Sequence, residues 1–223
     1  MNWLILETSS RVARVGLARD GVLVLATHLD DARRHARDLA ATIDSFLKAE
    51  ALVPRDVTGV MVSQGPGSYT GLRVGLMSAK AFAYATGCQL IAVDTFSAIA
   101  EQAHAKIHDQ WIIADALQGQ VYRQRFTRSG TQWQAADGLR IDRVEDWLAL
   151  VTPGVWISGP GVLAYADRIP KECPLVPEPD IAARITSVFV VGATRVPVTR
   201  AELFALEPLY LRGSSAEEKA KLS

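Results

Sequence analysis

The chain has 223 residues, almost half of them apolar, with 24 basic and 24 acidic side chains and a formal net charge of zero. That is enough material for one large domain or two small lobes, each with its own core. The even charge balance, with no long basic run, argues against tight nucleic-acid binding by this chain alone.

No run of about 18 apolar residues offers a membrane span. The opening Met1–Glu7 is too short and too acidic for a signal peptide, so the expected location is cytoplasmic. Cys88 and Cys173 are the only cysteines. Neither belongs to a Cys-x-x-Cys pair, so both are expected as reduced core thiols.

Trp3–Leu6 reads as a first strand. Val12–Ala18 and Val22–Leu29 read as two more, joined at Asp20-Gly21, a hairpin signal. His35–Ala51 has Leu39, Ile43, Phe46 and Leu47 at helical spacing. Val57–Ser63 is a further strand and Thr70–Thr86 a helix stopped by Gly87, a residue suited to the left-handed position after a helix end. Gln89–Val93 closes the first half. The order β-β-β-α-β-α-β implies a sheet with a parallel core.

The second half repeats this pattern. Trp111–Asp115 is an apolar strand ending in an acid, as Trp3–Glu7 is. Gln120–Thr127 and the turn Ser129-Gly130 match Val12–Ala18 and Asp20-Gly21. Val144–Val151 is helical, and Val155–Gly161 repeats the strand followed by Gly-Pro-Gly. Four echoes in one order imply an internal duplication. The expected organisation is an N-terminal lobe over 1–106 and a C-terminal lobe over 107–212, whose last helix, Ile181–Ala193, can pack back on the first lobe. Glu207–Arg212 reads as extended, since Pro208 excludes a helix interior. Residues 213–223 read as a disordered tail.

The richest stretch is Ser63–Gly75, Ser-Gln-Gly-Pro-Gly-Ser-Tyr-Thr-Gly-Leu-Arg-Val-Gly. A turn containing Gly65 and Gly67 lets backbone approach whatever lies above it, so an anion cradle and a tight connection are both open readings. The lysine and hydroxyl of a Walker A loop are missing, as is the G-x-G-x-x-G spacing of dinucleotide folds. Gly71 and Gly75 lie inside the helix, each costing about 1 kcal/mol relative to alanine. With Ala79 and Ala83 they form a small-residue stripe on one face. The helix is apolar nearly all round, so it needs cover on two sides. One side meets the sheet of its own lobe; the other meets either the neighbouring helix His35–Ala51 or a second chain. A subunit interface is preferred, because two helices on one sheet face leave an apolar patch to be covered.

The duplication sets Glu7 and Asp115 at equivalent strand ends. A carboxylate pair there suits a magnesium-nucleotide or an oriented water, which gives an ATPase or phosphotransferase reading. Strand-end acids also simply cap turns. His104 and His108 share one face if a helix continues that far, but no glutamate follows His104 and no zinc motif forms. Ser9, Ser10, Ser68 and Thr70 have no histidine-carboxylate pair in sequence, so nucleophilic catalysis, including peptidase chemistry, is unsupported. Arg33, Arg34 and Arg37 read equally as phosphate contacts and as a solvated helix face.

The segment Ser63–Gly75 resembles the signature of the bacterial TsaB (YeaZ) family. Leu4–Ser9, Ile113–Ala116 with Gly119–Tyr122, and Glu207–Arg212 match in the same order, and 130–180 only loosely. The resemblance implies an α/β fold of the actin/Hsp70/sugar-kinase kind, with two duplicated lobes, each a mixed sheet flanked by helices. It also implies a noncatalytic subunit that docks the catalytic protein TsaD, with TsaE as an ATP-hydrolysing third component. That assembly forms threonylcarbamoyladenosine at adenosine 37 of tRNAs reading ANN codons, and tRNA is then met through the complex. The contact expected on this resemblance involves Leu39, Ile43, Leu72, Gly75, Leu76 and Ala79, with the same surface pairing the free protein as a homodimer. Replacing Gly75 by leucine is expected to abolish partner binding and leave the fold intact.

In the catalytic partner a His-x-x-x-His motif follows the strand equivalent to Gln89–Val93; here Thr95 and Ile99 stand at those places, so no metal site is expected. The family opens with Asp-Thr-Ser, whereas this chain has Glu7-Thr8-Ser9. The longer side chain weakens a nucleotide role for Glu7, Gly65, Gly67 and Asp115. No cofactor is expected, with a nucleotide at the subunit junction left open.

Overall fold

The structure, a computed structural model, describes residues 1–29, 35–178 and 180–209, with side chains of the first helix described from Asp38 onward. Arg33, Arg34, the side chain of Arg37, the end of the 207–212 segment and the 213–223 tail lie outside the described residues.

In chain order the elements are β1 (Asn2–Glu7), β2 (Ala13–Arg19), β3 (Val22–Leu29), α1 (His35–Ala49), β4 (Gly59–Gly65), α2 (Tyr69–Thr86), β5 (Gln89–Asp94), α3 (Thr95–Glu101), β6 (Asp109–Asp115), β7 (Gln120–Ser129), β8 (Gln132–Ala135), β9 (Arg140–Arg143), α4 (Val144–Leu148), β10 (Trp156–Ser158), α5 (Val162–Tyr165), α6 (Ile185–Gly192) and α7 (Arg200–Ala205). They divide into two compact units, Met1–Ala98 with Ala183–Pro208, and Ile99–Ala182. α6 and α7 therefore belong to the first unit.

The first unit's sheet runs β3-β2-β1-β4-β5. β1, β2 and β3 form an antiparallel meander, and β1, β4 and β5 are parallel. Alternation sends Leu4, Leu6, Val60, Val62 and Leu90 to one face, where they meet Leu39, Ile43 and Leu47 of α1 and Leu76, Ala79 and Ala83 of α2 in one core. α1 has Asp38 in its first turn and Lys48 in its last, matching the helix dipole. It ends two residues before the expected Ala51, because Ala51 takes a left-handed φ of 53° and Leu52 N–H returns to Leu47 O at 2.8 Å. α2 stops where expected, with Gly87 at φ 76°.

The second unit's sheet runs β10-β6-β7-β8, with β9 also on β7. β6 and β10 are parallel, and β6, β7 and β8 are antiparallel. The path β4-β1-β2-β3 of the first unit is thus repeated as β10-β6-β7-β8, with the same strand directions. The turns after β4 and β10 are also alike, with Gly65 at φ 117° and Gly159 at φ 96° ahead of Pro66 and Pro160. The copy is shortened: α5 has 4 residues where α2 has 18. Its core gathers Trp111, Ile113, Val121, Trp147, Ile157 and Tyr165. The fold is two mixed α/β units, each a sheet flanked by helices, the duplicated organisation that the sequence echoes implied.

Sequence periodicity did not foresee α3, β8, β9, α5 and α7, all between 4 and 7 residues long. α6 begins at Ile185 instead of Ile181.

Candidate functional site

The glycine-rich segment is occupied by the first unit's own chain. Ser68 N–H donates to Ser9 O at 2.7 Å and caps α2 through its hydroxyl, which accepts from Gly71 N–H at 3.3 Å. A Cβ on Gly67 would stand 2.4 Å from Ser9 O, one on Gly71 2.1 Å from Thr8 O, and one on Gly75 2.1 Å from Thr8 Oγ1. These glycines let α2 and its lead-in lie directly on the turn after β1. In place of the anion-cradle reading, the structure gives a seam: the space beside Gly67 is taken by Ser9, and Gly65 is buried.

Glu7 lies inside that seam and is fully buried. Its Oε1 accepts from Ser9 N–H at 2.6 Å and from Ser9 Oγ at 2.5 Å. Its Oε2 has no hydrogen-bond partner and stands 3.8 Å from Arg14 Nη1. Burial pushes the Glu7 carboxyl above its usual range, against the pull of the Ser9 hydrogen bonds and the Arg14 charge. Thr8 N–H donates to Ser63 Oγ at 3.1 Å, tying the turn to β4.

Asp115, at the end of β6 in the second unit, is exposed and behaves as a turn acid. Its Oδ1 accepts from Leu117 N–H at 2.8 Å and from the Tyr165 hydroxyl at 2.6 Å. Burial first, and then the bond to Asp115, hold the Tyr165 phenol well above its usual value. Leu117, Gln118 and Gly119 follow with positive φ, 64°, 52° and 73°.

The six residues expected at a partner contact, Leu39, Ile43, Leu72, Gly75, Leu76 and Ala79, are all buried within the first unit. Sheet and helices already cover them, so they hold α1 and α2 in place and present no free side chain. Gly75 in particular cannot carry a leucine without displacing Thr8. What α2 leaves open is the opposite edge of the helix. Met77 and Tyr84 are each 61% exposed, with Arg73 and Ala81 on the same side.

α7 adds Phe204, 64% exposed, whose ring meets Tyr84 edge-on at 5.6 Å. Lys80 fixes α7 to α2 by donating to Phe204 O and Leu206 O, each at 3.0 Å. Arg73 lies over the Tyr69 ring at 4.4 Å. Phe204 lies on a helix too short for a periodic signal in the sequence, although a capping box marks the start of α7. Thr199 Oγ1 accepts from Glu202 N–H, and the Glu202 carboxylate accepts from Thr199 N–H at 2.9 Å.

α3 ends at Glu101, so neither His104 nor His108 is on a helix, and their shared face does not form. Thr95 and Ile99 are buried on α3, and the Thr95 hydroxyl has no hydrogen-bond partner. Among the described residues, no three His, Cys, Asp or Glu side chains gather in a set that could hold a metal. Among the same residues no helix is long and apolar enough to cross a membrane.

The family described as TsaD, tRNA N6-adenosine threonylcarbamoyltransferase, matches residues 30–198, about three quarters of the chain. The tRNA threonylcarbamoyladenosine biosynthesis protein TsaB of Escherichia coli is 27% identical over 98% of both chains. The chain belongs to this family, as a TsaB/YeaZ-type member. An uncharacterised protein of Mycobacterium tuberculosis is 29% identical over 97% of this chain and 94% of its own. Among solved structures, YeaZ from Pseudomonas aeruginosa superposes with a TM-score of 0.77 at 20% identity, over 94% of this chain and 99% of that one, and so shares the fold. In this chain the segment Ser63–Gly75 is the strand, turn and helix face that fits against residues 7–9.

Proposed function

We propose that this chain is the noncatalytic partner subunit of an assembly that forms threonylcarbamoyladenosine at adenosine 37 of tRNAs reading ANN codons. A TsaD-like protein is the catalytic subunit and a TsaE-like ATPase the third component, and tRNA is met through the complex. The observation that carries this reading is the exposed apolar edge built by Met77, Tyr84 and Phe204 on a rigidly seated helix. Two aromatic rings and a methionine, flanked by an arginine, have the composition of a docking centre. The TsaB name of the Escherichia coli relative supplies the pathway. In the free protein the same edge pairs with that of a second copy as a homodimer.

The alternative, an ATPase or phosphotransferase built on Glu7 and Asp115, draws no support from the side chains. Glu7 is inaccessible and engaged by Ser9, and Asp115 is engaged by Tyr165 and Leu117. A hydrated magnesium ion cannot reach the fully buried Glu7, and the exposed Asp115 by itself is not a carboxylate pair.

The deciding experiment is reconstitution of the modification on unmodified tRNA with the TsaD-like partner and ATPase, with this chain included or omitted. Product that depends on this chain supports the proposal. Undiminished product without it overturns the proposal.

A further inference from the structure

The sheet face opposite α1 and α2 carries a cavity of about 700 Å³ in the first unit, distinct from the helical edge. Its origin is geometric. Pairing aligns Gly16, Ile5, Met61 and Ile91 in one row across β2, β1, β4 and β5, and Trp3, Gly59 and Gln89 in the next row toward the strand starts. α6 lies along the first row. A Cβ on Gly16 would touch Ile185 at 2.3 Å, and one on Gly192 would touch the Met61 sulfur at 2.5 Å. With 8 residues α6 is about 12 Å long, and it packs against β2, β1, β4 and β5 along that row. The second row is left without a helix above it.

That row forms a flat aromatic floor. Gly59 has no side chain, and the Trp3 indole fills the vacancy: a Cβ at Gly59 would stand 2.4 Å from Trp3 Cζ3. Met61 and Ile91 continue the floor, and Phe189 of α6 with Ala193 just after the helix forms a wall. The other wall is the stretch Arg195–Pro197, held beside β5 by the Val198 N–H bond to Leu90 O at 2.7 Å.

The polar groups at the rim are few: Gln89, the Asp20 carboxylate already paired with the terminal ammonium, and Arg195. Arg195 is exposed; its backbone N–H donates to Gly192 O at 3.0 Å, and its guanidinium makes no hydrogen bond or ion pair among the described residues. The nearby acid whose proton it influences, Asp94, is engaged by Ser97 N–H at 2.6 Å. A cavity of a few hundred cubic ångströms, apolar and aromatic inside, with one uncommitted cation at its mouth, is the usual form of a small-molecule site.

We infer that this cavity binds a small planar aromatic ligand bearing an anionic group, with the ring on Trp3 beside Phe189 and the anion at Arg195. The inference is independent of the subunit role proposed above.

The probe is 1-anilinonaphthalene-8-sulfonate, an aromatic anion whose fluorescence rises on leaving water, titrated into the full chain, Arg195→Glu and Ala193→Phe. Both substituted positions are exposed, so the variants are expected to fold, as circular dichroism melts will check. Saturable binding at one site is expected for the wild type. Arg195→Glu, which reverses the charge, should weaken it about tenfold. Ala193→Phe, which places a ring in the cavity, should abolish it. No saturable binding by the wild type, or equal binding by both folded variants, overturns the assignment.

Discussion

Gly75 of α2 and Thr8 of the turn after β1 approach so closely that a methyl group on Gly75 would lie 2.1 Å from the Thr8 hydroxyl. Gly71, one helical turn earlier, is as close to the Thr8 carbonyl. The two helix glycines, unfavourable by propensity, are therefore required by a contact inside the unit. The most conspicuous sequence feature of the chain specifies how α2 sits on β1. Sequence spacing by itself could not separate that from a ligand cradle or a partner contact.

The two glycines should differ on substitution. Gly71→Ala sets a methyl against backbone, which cannot rotate away, and should destabilise by about 3 kcal/mol, the upper end for overpacking. Gly75→Ala meets a side chain that can turn, and gains about 1 kcal/mol of helix propensity, so its net cost should be about 1 kcal/mol. Adding Thr8→Ala should restore Gly75→Ala but not Gly71→Ala. Urea unfolding of the singles and doubles measures this coupling, and equal costs for the two glycines would contradict it.

Glu7 should make the protein less stable as pH rises. Its carboxyl holds a proton more tightly in the folded chain than in the unfolded one, because burial raises its pKa. Its stabilising contribution is present below the unfolded value and lost as pH rises through the folded one. Glu7→Gln keeps an acceptor for Ser9 and cannot ionise. The stability of Glu7→Gln relative to wild type should therefore grow from pH 4 upward and level off once the wild-type group is ionised. A difference that is flat in pH would mean that Glu7 is not buried as described.

The long periodic elements were legible in the sequence, for particular reasons. Leu39, Ile43 and Leu47 recur every four residues, and α1 follows them. Gly87 stops α2 as its sequence position implied, whereas the Ser68 cap that opens the helix emerged only in the structure. The paired Gly-Pro-Gly turns revealed the repeat. α5 and α7 have 4 and 6 residues, too few for a period to emerge, and only the Thr199–Glu202 capping box marked α7. Which apolar residues of α1 and α2 face solvent was not legible for another reason. Apolar side chains on a helix surrounded by apolar residues do not say which are covered by their own chain. Met77 and Tyr84 look no different in sequence from Leu72 and Leu76; burial separates them.

In the second unit, Tyr165→Phe should loosen the turn that follows β6. The phenol donates to Asp115 at 2.6 Å, across a turn with three successive left-handed residues. A hydrogen bond to a charged acceptor contributes about 1.5–3 kcal/mol, and Asp115 is exposed, so water recovers part of it. A loss of about 1.5 kcal/mol is expected, with faster amide exchange at Leu117, whose N–H is bound to Asp115. Unchanged exchange at Leu117 would show that the turn holds its shape without the phenol.

The exposed edge of α2 gives the sharpest test of the subunit role. Met77→Lys, Tyr84→Lys and Phe204→Lys each place a charge where an apolar contact is proposed, on side chains more than 60% exposed. Surface changes of this kind usually alter stability by less than about 0.5 kcal/mol, so thermal unfolding should barely move. Co-purification with the TsaD-like partner should fall at least tenfold, the effect expected when an aromatic anchor is lost. Self-association of the free chain, read by gel filtration, should fall with it. Gly75→Leu should behave differently, losing partner binding only through loss of the fold, with a melting temperature well below that of the three lysine variants. Wild-type co-purification by all three lysine variants would move the docking surface off this edge.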